Sequence, residues 1–117
     1  KDNHIKVAGG IKPAIAAARD SISHTCRIEV EVESLTGAAE ALAAGADIIM
    51  LDNMEPEAMR QAIELIDGRA VTEASGGIDR TTVAAVAATG IDVISVGALT
   101  HTIKALDISL DIGEIKK

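Results

Sequence analysis

Four short stretches of this chain join a hydrophobic run to polar side chains able to do chemistry. They are Ile28-Glu29-Val30-Glu31-Val32-Glu33, Ile48-Ile49-Met50-Leu51-Asp52-Asn53, Val71-Thr72-Glu73-Ala74-Ser75-Gly76-Gly77 and Val93-Ile94-Ser95-Val96-Gly97. In a strand, side chains alternate faces with a period of two. Glu29, Glu31 and Glu33 therefore share one face, Glu73 sides with Ser75, and Ser95 sides with Gly97. A carboxylate-rich inner face is costly unless it does chemistry or holds a charged ligand. Three glutamates on one strand cannot all stay ionised in a dry interior. Glu29 at a surface and Glu33 at a solvated mouth relieve that conflict, which leaves mid-strand Glu31 as the functional candidate. Asp52 ends its run where a ligand would meet it. An Asp there can also cap the following helix, but Asn53 is better placed to cap.

Ser75-Gly76-Gly77 follows a strand and precedes a helix. Two glycines let a backbone approach a phosphate closely, or they only make a tight turn. A second loop of this kind, Gly97-Ala98-Leu99-Thr100, follows the last strand. Paired phosphate loops after late strands recur in α/β barrels. Lys1-Asp2-Asn3-His4 is a dense polar cluster ahead of Gly9-Gly10. His4 can serve as an acid–base group, a phosphate donor or a loop residue, and His101 is similar. No Cys/His pattern suggests zinc. Cys26, with no base nearby, reads as a small core residue.

Alternating helices and strands must position these groups. Ile11 to Ser23 reads as a helix with Pro13 in its first turn. Ser34 caps a helix through about Ala44, which Gly45 ends. Glu55-Pro56-Glu57 opens a helix to about Asp67, stopped by Gly68. Asp79 or Thr81 opens a fourth, closed by Gly90. A weak internal repeat relates Gly45-Ala46-Asp47-Ile48 to Gly90-Ile91-Asp92-Val93. Such alternation predicts a parallel α/β sheet or barrel, with ligands at the carboxyl ends of the strands. Leu106 to Ile112 reads as a final half-exposed strand.

The bulk properties agree. The chain has 117 residues, 48% hydrophobic and 25% charged, so it is a globular domain or a piece of one. With no aromatic residue, its core must be aliphatic, and base stacking on nucleic acid is excluded as a binding mode. A net charge of −7 also argues against a phosphate-backbone partner. One cysteine cannot form an internal disulfide, which fits a reducing cytoplasm. No apolar run is long enough to cross a bilayer. The start lacks a signal-peptide layout and an initiator Met, so a trimmed or excerpted front is expected.

Taken together, Lys1-Asp2-Asn3-His4-Ile5, Ile28 to Glu33, Gly45 to Met54, Glu73-Ala74-Ser75-Gly76-Gly77-Ile78, and Asp92 to His101 resemble one family over essentially the whole chain. The family is quinolinate phosphoribosyltransferase, the carboxylating nicotinate-nucleotide pyrophosphorylase. The resemblance implies an incomplete α/β barrel of TIM-like type, of which residues 1–117 carry only the later βα units, without the N-terminal domain and first barrel strands. It implies phosphoribosyl transfer from phosphoribosyl pyrophosphate to quinolinate with decarboxylation, in de novo NAD synthesis, with Mg2+ and as a homodimer or dimer-based oligomer. By motif, Lys1 contacts the substrates, with Asn3 and His4 beside it. Glu31 and Asp52 hold the ribose hydroxyls or, indirectly, the magnesium-bound phosphoribosyl group. Ser75, Gly76, Gly77, Gly97, Ala98, Leu99 and His101 bind phosphate. The family's enzymes are more than twice this long, so its basic residues for quinolinate fall outside the match. The isolated chain is expected to be inactive. The alternatives are a self-associating, non-catalytic partial barrel and a related phosphoribosyltransferase that uses another base.

Overall fold

Helices and strands alternate as the patterning requires. The computed structural model describes residues 1–101 (His101 by its backbone only), so the expected strand from Leu106 lies outside the described residues. In chain order the elements are α1 (Asp2–Ala8), α2 (Ile11–Ser21), β1 (Glu29–Val32), α3 (Leu35–Ala43), β2 (Ile48–Asp52), α4 (Pro56–Ile66), β3 (Val71–Ser75), α5 (Val83–Ala87), β4 (Val93–Ile94) and α6 (Ala98–His101). The four strands form one parallel sheet in the order β1-β2-β3-β4. Each pair of neighbours is joined through a helix, as parallel pairing demands.

One face of the sheet is the core. Val30 and Val32, Ile49 and Leu51, and Thr72 and Ala74 alternate inward and are buried. The helices cover that face with aliphatic stripes. In α4, Met59, Ala62 and Ile66 are buried at helical spacing, and α3 inserts Ala38 and Ala41. Without aromatic rings, small alanines let α3 pack closely against β1, β2 and α4.

The helix ends obey local chemistry. Ser34 Oγ accepts the Gly37 N–H at 3.1 Å, which caps α3. Pro56 begins α4, where its missing N–H leaves no bond unmade. Asp67 ends α4 in the left-handed region at φ 48°.

Four expectations need correction. Of the readings open for His4, the loop residue is ruled out, because the Lys1-Asp2-Asn3-His4 segment is helical from Asp2 on. It opens α1, where the Lys6 ammonium pairs with the Asp2 carboxylate one turn back at 2.9 Å. Cys26 is exposed rather than buried, because it lies in the turn before β1 and not in the sheet. The fourth helix is only Val83–Ala87. Asp79 instead closes a local turn, its carboxylate accepting from the Thr81 and Thr82 N–H groups at 2.7 and 3.1 Å. Finally, Asn53 does not cap α4, whose N-cap is Glu55.

The internal repeat has a structural purpose. Asp47 Oδ2 accepts the Ile28 N–H at 2.7 Å, and Asp92 Oδ2 accepts the Thr72 N–H at 2.8 Å and the Thr72 hydroxyl at 2.7 Å. Each Asp stitches the start of its own strand to the strand before it. Both carboxyls are held below the ordinary value of 3.8, chiefly by the backbone N–H that they accept.

Candidate functional site

The face opposite the core carries the chemistry, and the strand register sorts it into layers. Glu31 of β1 pairs with Met50 of β2, Met50 with Glu73 of β3, and Glu73 with Val93 of β4. One layer nearer the strand ends, Asp52 pairs with Ser75. Glu31, Asp52, Glu73 and Ser75 are half-buried on this face. Glu33 follows β1 and is exposed. Neighbouring parallel strands lie about 4.8 Å apart, so paired side chains of one layer are within reach of a single small ligand.

These carboxylates are not consumed by ion pairs. The pairs among the described residues are Lys6–Asp2, Arg19–Asp47 and Arg60–Glu57, and none includes a carboxylate of this face, although Lys6 and Asp2 line a pocket together with Glu31 and Glu33. Arg69 donates to the Leu65 and Ile66 carbonyls and closes α4. Glu73 accepts from the Ser95 hydroxyl at 2.5 Å, a charge-assisted bond that fixes its position between β3 and β4. Glu29, one layer below Glu31, has its carboxyl raised above the usual range. Partial burial is the first cause, followed by the like charges of Glu73 and Glu31. The face is thus electronegative, as a site that stabilises positive charge requires.

The two glycine loops meet. Ser75, Gly76, Gly77, Ile78, Asp79, Gly97 and Ala98 line one cleft of about 420 Å³ at the carboxyl ends of β3 and β4. Gly76 and Gly77 have φ of 84° and 62°, a conformation that side-chain-bearing residues rarely adopt. Leu99 is 75% exposed at the same end, in α6. Asn53 holds the rim together. Its N–H donates to the Ser75 carbonyl at 2.9 Å, and its Nδ2 donates to Asp52 Oδ2 at 2.9 Å.

Not every candidate residue shares this cleft. Lys1 and His4 line a separate, smaller pocket of about 170 Å³ between α1, α2 and β1, with Glu29 on its wall. Asn3 is exposed on α1. His101 belongs to α6 by its backbone. Asn53 and the Ser95–Glu73 pair are what the residue reading missed. Register alone could have found the pair, since Ser95 and Glu73 point to the same face of adjacent strands.

A parallel α/β sheet with helices on one face, acidic side chains on the other and paired glycine loops at its carboxyl end defines part of a TIM-like barrel. Solved structures agree. NadC from Streptococcus pyogenes superposes with a TM-score of 0.82 at 53% identity, covering 91% of this chain and 37% of that one. The nicotinate-nucleotide pyrophosphorylase of Francisella tularensis gives 0.81 at 46% identity over 92% and 38%. Residues 1–111 match the model of the quinolinate phosphoribosyl transferase C-terminal domain, and the chain belongs to that family. Curated relatives include the probable nicotinate-nucleotide pyrophosphorylase (carboxylating) of Methanothermobacter thermautotrophicus, 44% identical over 99% of this chain and 43% of its own length. The human nicotinate-nucleotide pyrophosphorylase (carboxylating) is 42% identical over 94% and 38%. The chain therefore spans about two fifths of the curated relatives it matches.

Proposed function

We propose that this chain forms the phosphoribosyl-holding part of a quinolinate phosphoribosyltransferase, which makes nicotinate mononucleotide, carbon dioxide and pyrophosphate from quinolinate and phosphoribosyl pyrophosphate. The observation that carries the proposal is the layering of Glu31, Asp52 and Ser75 on one face of the sheet, with Ser75 also lining the cleft that both glycine loops form. Breaking the bond between ribose and pyrophosphate builds positive charge on the sugar. Glu31 and Asp52 stabilise that charge and accept from the ribose hydroxyls. The backbone of Ser75-Gly76-Gly77 and Gly97-Ala98-Leu99 lies against the phosphate, with His101 near it. Lys1, Asn3 and His4, across β1, serve the other end of the substrate pair. Attack by the pyridine nitrogen needs no protein nucleophile. Decarboxylation follows transfer, because the pyridinium charge stabilises the electron pair left by carbon dioxide.

The described residues contain no cluster of three or more metal-ligating side chains. Two carboxylate donors suit Mg2+, which keeps waters and phosphate oxygens in its shell. Glu31 and Asp52 would hold it indirectly, through the substrate. Held there, Mg2+ would supply positive charge to offset that of the departing pyrophosphate.

Three of the five arginines, Arg19, Arg60 and Arg69, are engaged in contacts of the fold, and Arg27 lines the cleft at the amino ends of the strands. Association with a second copy or with the rest of a longer enzyme supplies the quinolinate half, as a homodimer or dimer-based oligomer in the cytoplasm. Among the described residues no helix is long and apolar enough to cross a membrane.

Titration calorimetry with phosphoribosyl pyrophosphate and Mg2+ tests the proposal. The chain should bind, and Asp52→Ala should weaken binding at least tenfold. Equal binding by the variant removes Asp52 from the site.

A further inference from the structure

The geometry points to Asn53 as a positioning residue that ties the ribose-side carboxylate to the phosphate loop, and we propose that the site's affinity for a sugar phosphate depends on it. The inference rests on the proposed function above and deepens it.

Asn53 stands immediately after β2, between the two halves of the site. It is one of two described residues other than glycine with positive φ, at 51°. Asn tolerates that conformation better than most residues, but it remains a cost that the surrounding structure must hold in place. Three contacts hold it. The backbone N–H donates to the Ser75 carbonyl at 2.9 Å, which anchors the loop in β3. The side-chain Nδ2 donates to Asp52 Oδ2 at 2.9 Å, which leaves the other carboxylate oxygen to point elsewhere. The carboxamide also lies against Gly76, so closely that a Cβ on Gly76 would collide with Asn53 Oδ1, Cγ and Nδ2.

Each contact explains a neighbouring residue. Gly76 is glycine because its φ is 84° and because Asn53 fills the space a side chain needs. Asp52 is oriented by a neutral donor, so its charge stays available to a ligand. An Asp at position 53 would keep the shape and lose the donor, and it would add a like charge. A helix cap would explain none of these contacts, and α4 takes no side-chain cap.

The test compares two probes, phosphoribosyl pyrophosphate with Mg2+ and inorganic phosphate, on the full chain. Asn53→Gly keeps the left-handed backbone without strain and removes only the carboxamide. Its affinity for phosphoribosyl pyrophosphate should fall at least tenfold while its affinity for phosphate falls less than threefold. A merely structural defect would weaken both alike. Asn53→Asp should not restore binding. In the Asp52→Ala background, Asn53→Gly should cost less than threefold, because its oriented partner is gone. Equal binding by Asn53→Gly and wild type, parallel losses for both probes, or fully multiplicative effects would each overturn the inference alone. A wild-type chain that binds no phosphoribosyl pyrophosphate would overturn the parent reading first, and this one with it.

Discussion

At the scale of single residues, the site depends on carboxylates left unpaired by design of the surrounding network. Arg19, Arg60 and Arg69 serve contacts of the fold, and Glu31 and Asp52 stay outside the ion pairs of the described residues. Glu73 differs, because Ser95 pins it. Ser95→Ala should free that carboxylate and weaken phosphoribosyl pyrophosphate binding several-fold, with the thermal midpoint nearly unchanged. Titration calorimetry beside a melting curve checks both, and a melting shift without loss of binding would make Ser95 purely structural. Glu31 and Asp52 were legible from strand parity alone, since a period of two assigns faces before any coordinates exist. Asn53 was not, because parity says nothing about the residue that leaves the strand. Its role follows from φ and from the backbone of β3, a partner 22 positions away.

At the scale of elements, the Asp residues at strand starts fasten the sheet. Asp47 and Asp92 sit at the amino ends of β2 and β4, opposite the proposed site. Replacing Asp92 by Ala leaves the Thr72 N–H without its acceptor, and should cost about 1–3 kcal/mol in urea unfolding. The pH dependence has a definite sign. Both folded carboxyls titrate below the ordinary 3.8, so their stabilisation is complete above that value and fades as pH falls through the lower folded values. The urea midpoint should be flat in this respect near neutrality and fall in acid. Asp92→Asn should lose part of that acid dependence, and an unchanged acid limb would contradict the assignment. At the α3 start, Ser34→Ala should cost about 1 kcal/mol in the same assay. The repeat around Asp47 and Asp92 was visible in the chain, but its meaning was not, because a polar turn before a strand fits a loop as well as a stitch. The α1 helix was hidden for another reason. Seven residues carry too little periodicity to separate a helix from a polar cluster, and no residue of α1 is buried.

At the scale of the molecule, β1 and β4 are the outer strands among the described residues, so the sheet offers unpaired backbone at its margins. The chain should therefore associate with itself, and sedimentation velocity should show mass rising with concentration. A monomer at every concentration would contradict this. The alternation of helices and strands made the parallel architecture readable from punctuation alone, with Gly45, Gly68 and Gly90 marking the helix ends. The shared mouth was a stronger expectation, and the structure supplies part of it: Ser75, Gly97 and Ala98 line one cleft, while Glu31 lines a separate pocket with Asp2, Lys6 and Glu33. Lys1 and His4 were assigned to the substrates by motif, and they line a pocket of their own beside β1. A short sequence motif carries no information on which side of a strand its helix will lie.

The central claim is that sugar phosphate sits at the carboxyl ends of the strands. The rival surface is the cleft at their amino ends, which holds Arg27 and Arg69 as candidate anion partners beside Asp47 and Asp92. Mapping amide NMR shifts during titration with phosphoribosyl pyrophosphate and Mg2+ separates the two. The account predicts movement at Asn53, Gly76, Gly77 and Gly97 with Arg27 and Arg69 still. Movement concentrated at Arg27, Gly68 and Arg69, with the glycine loops unmoved, would contradict it.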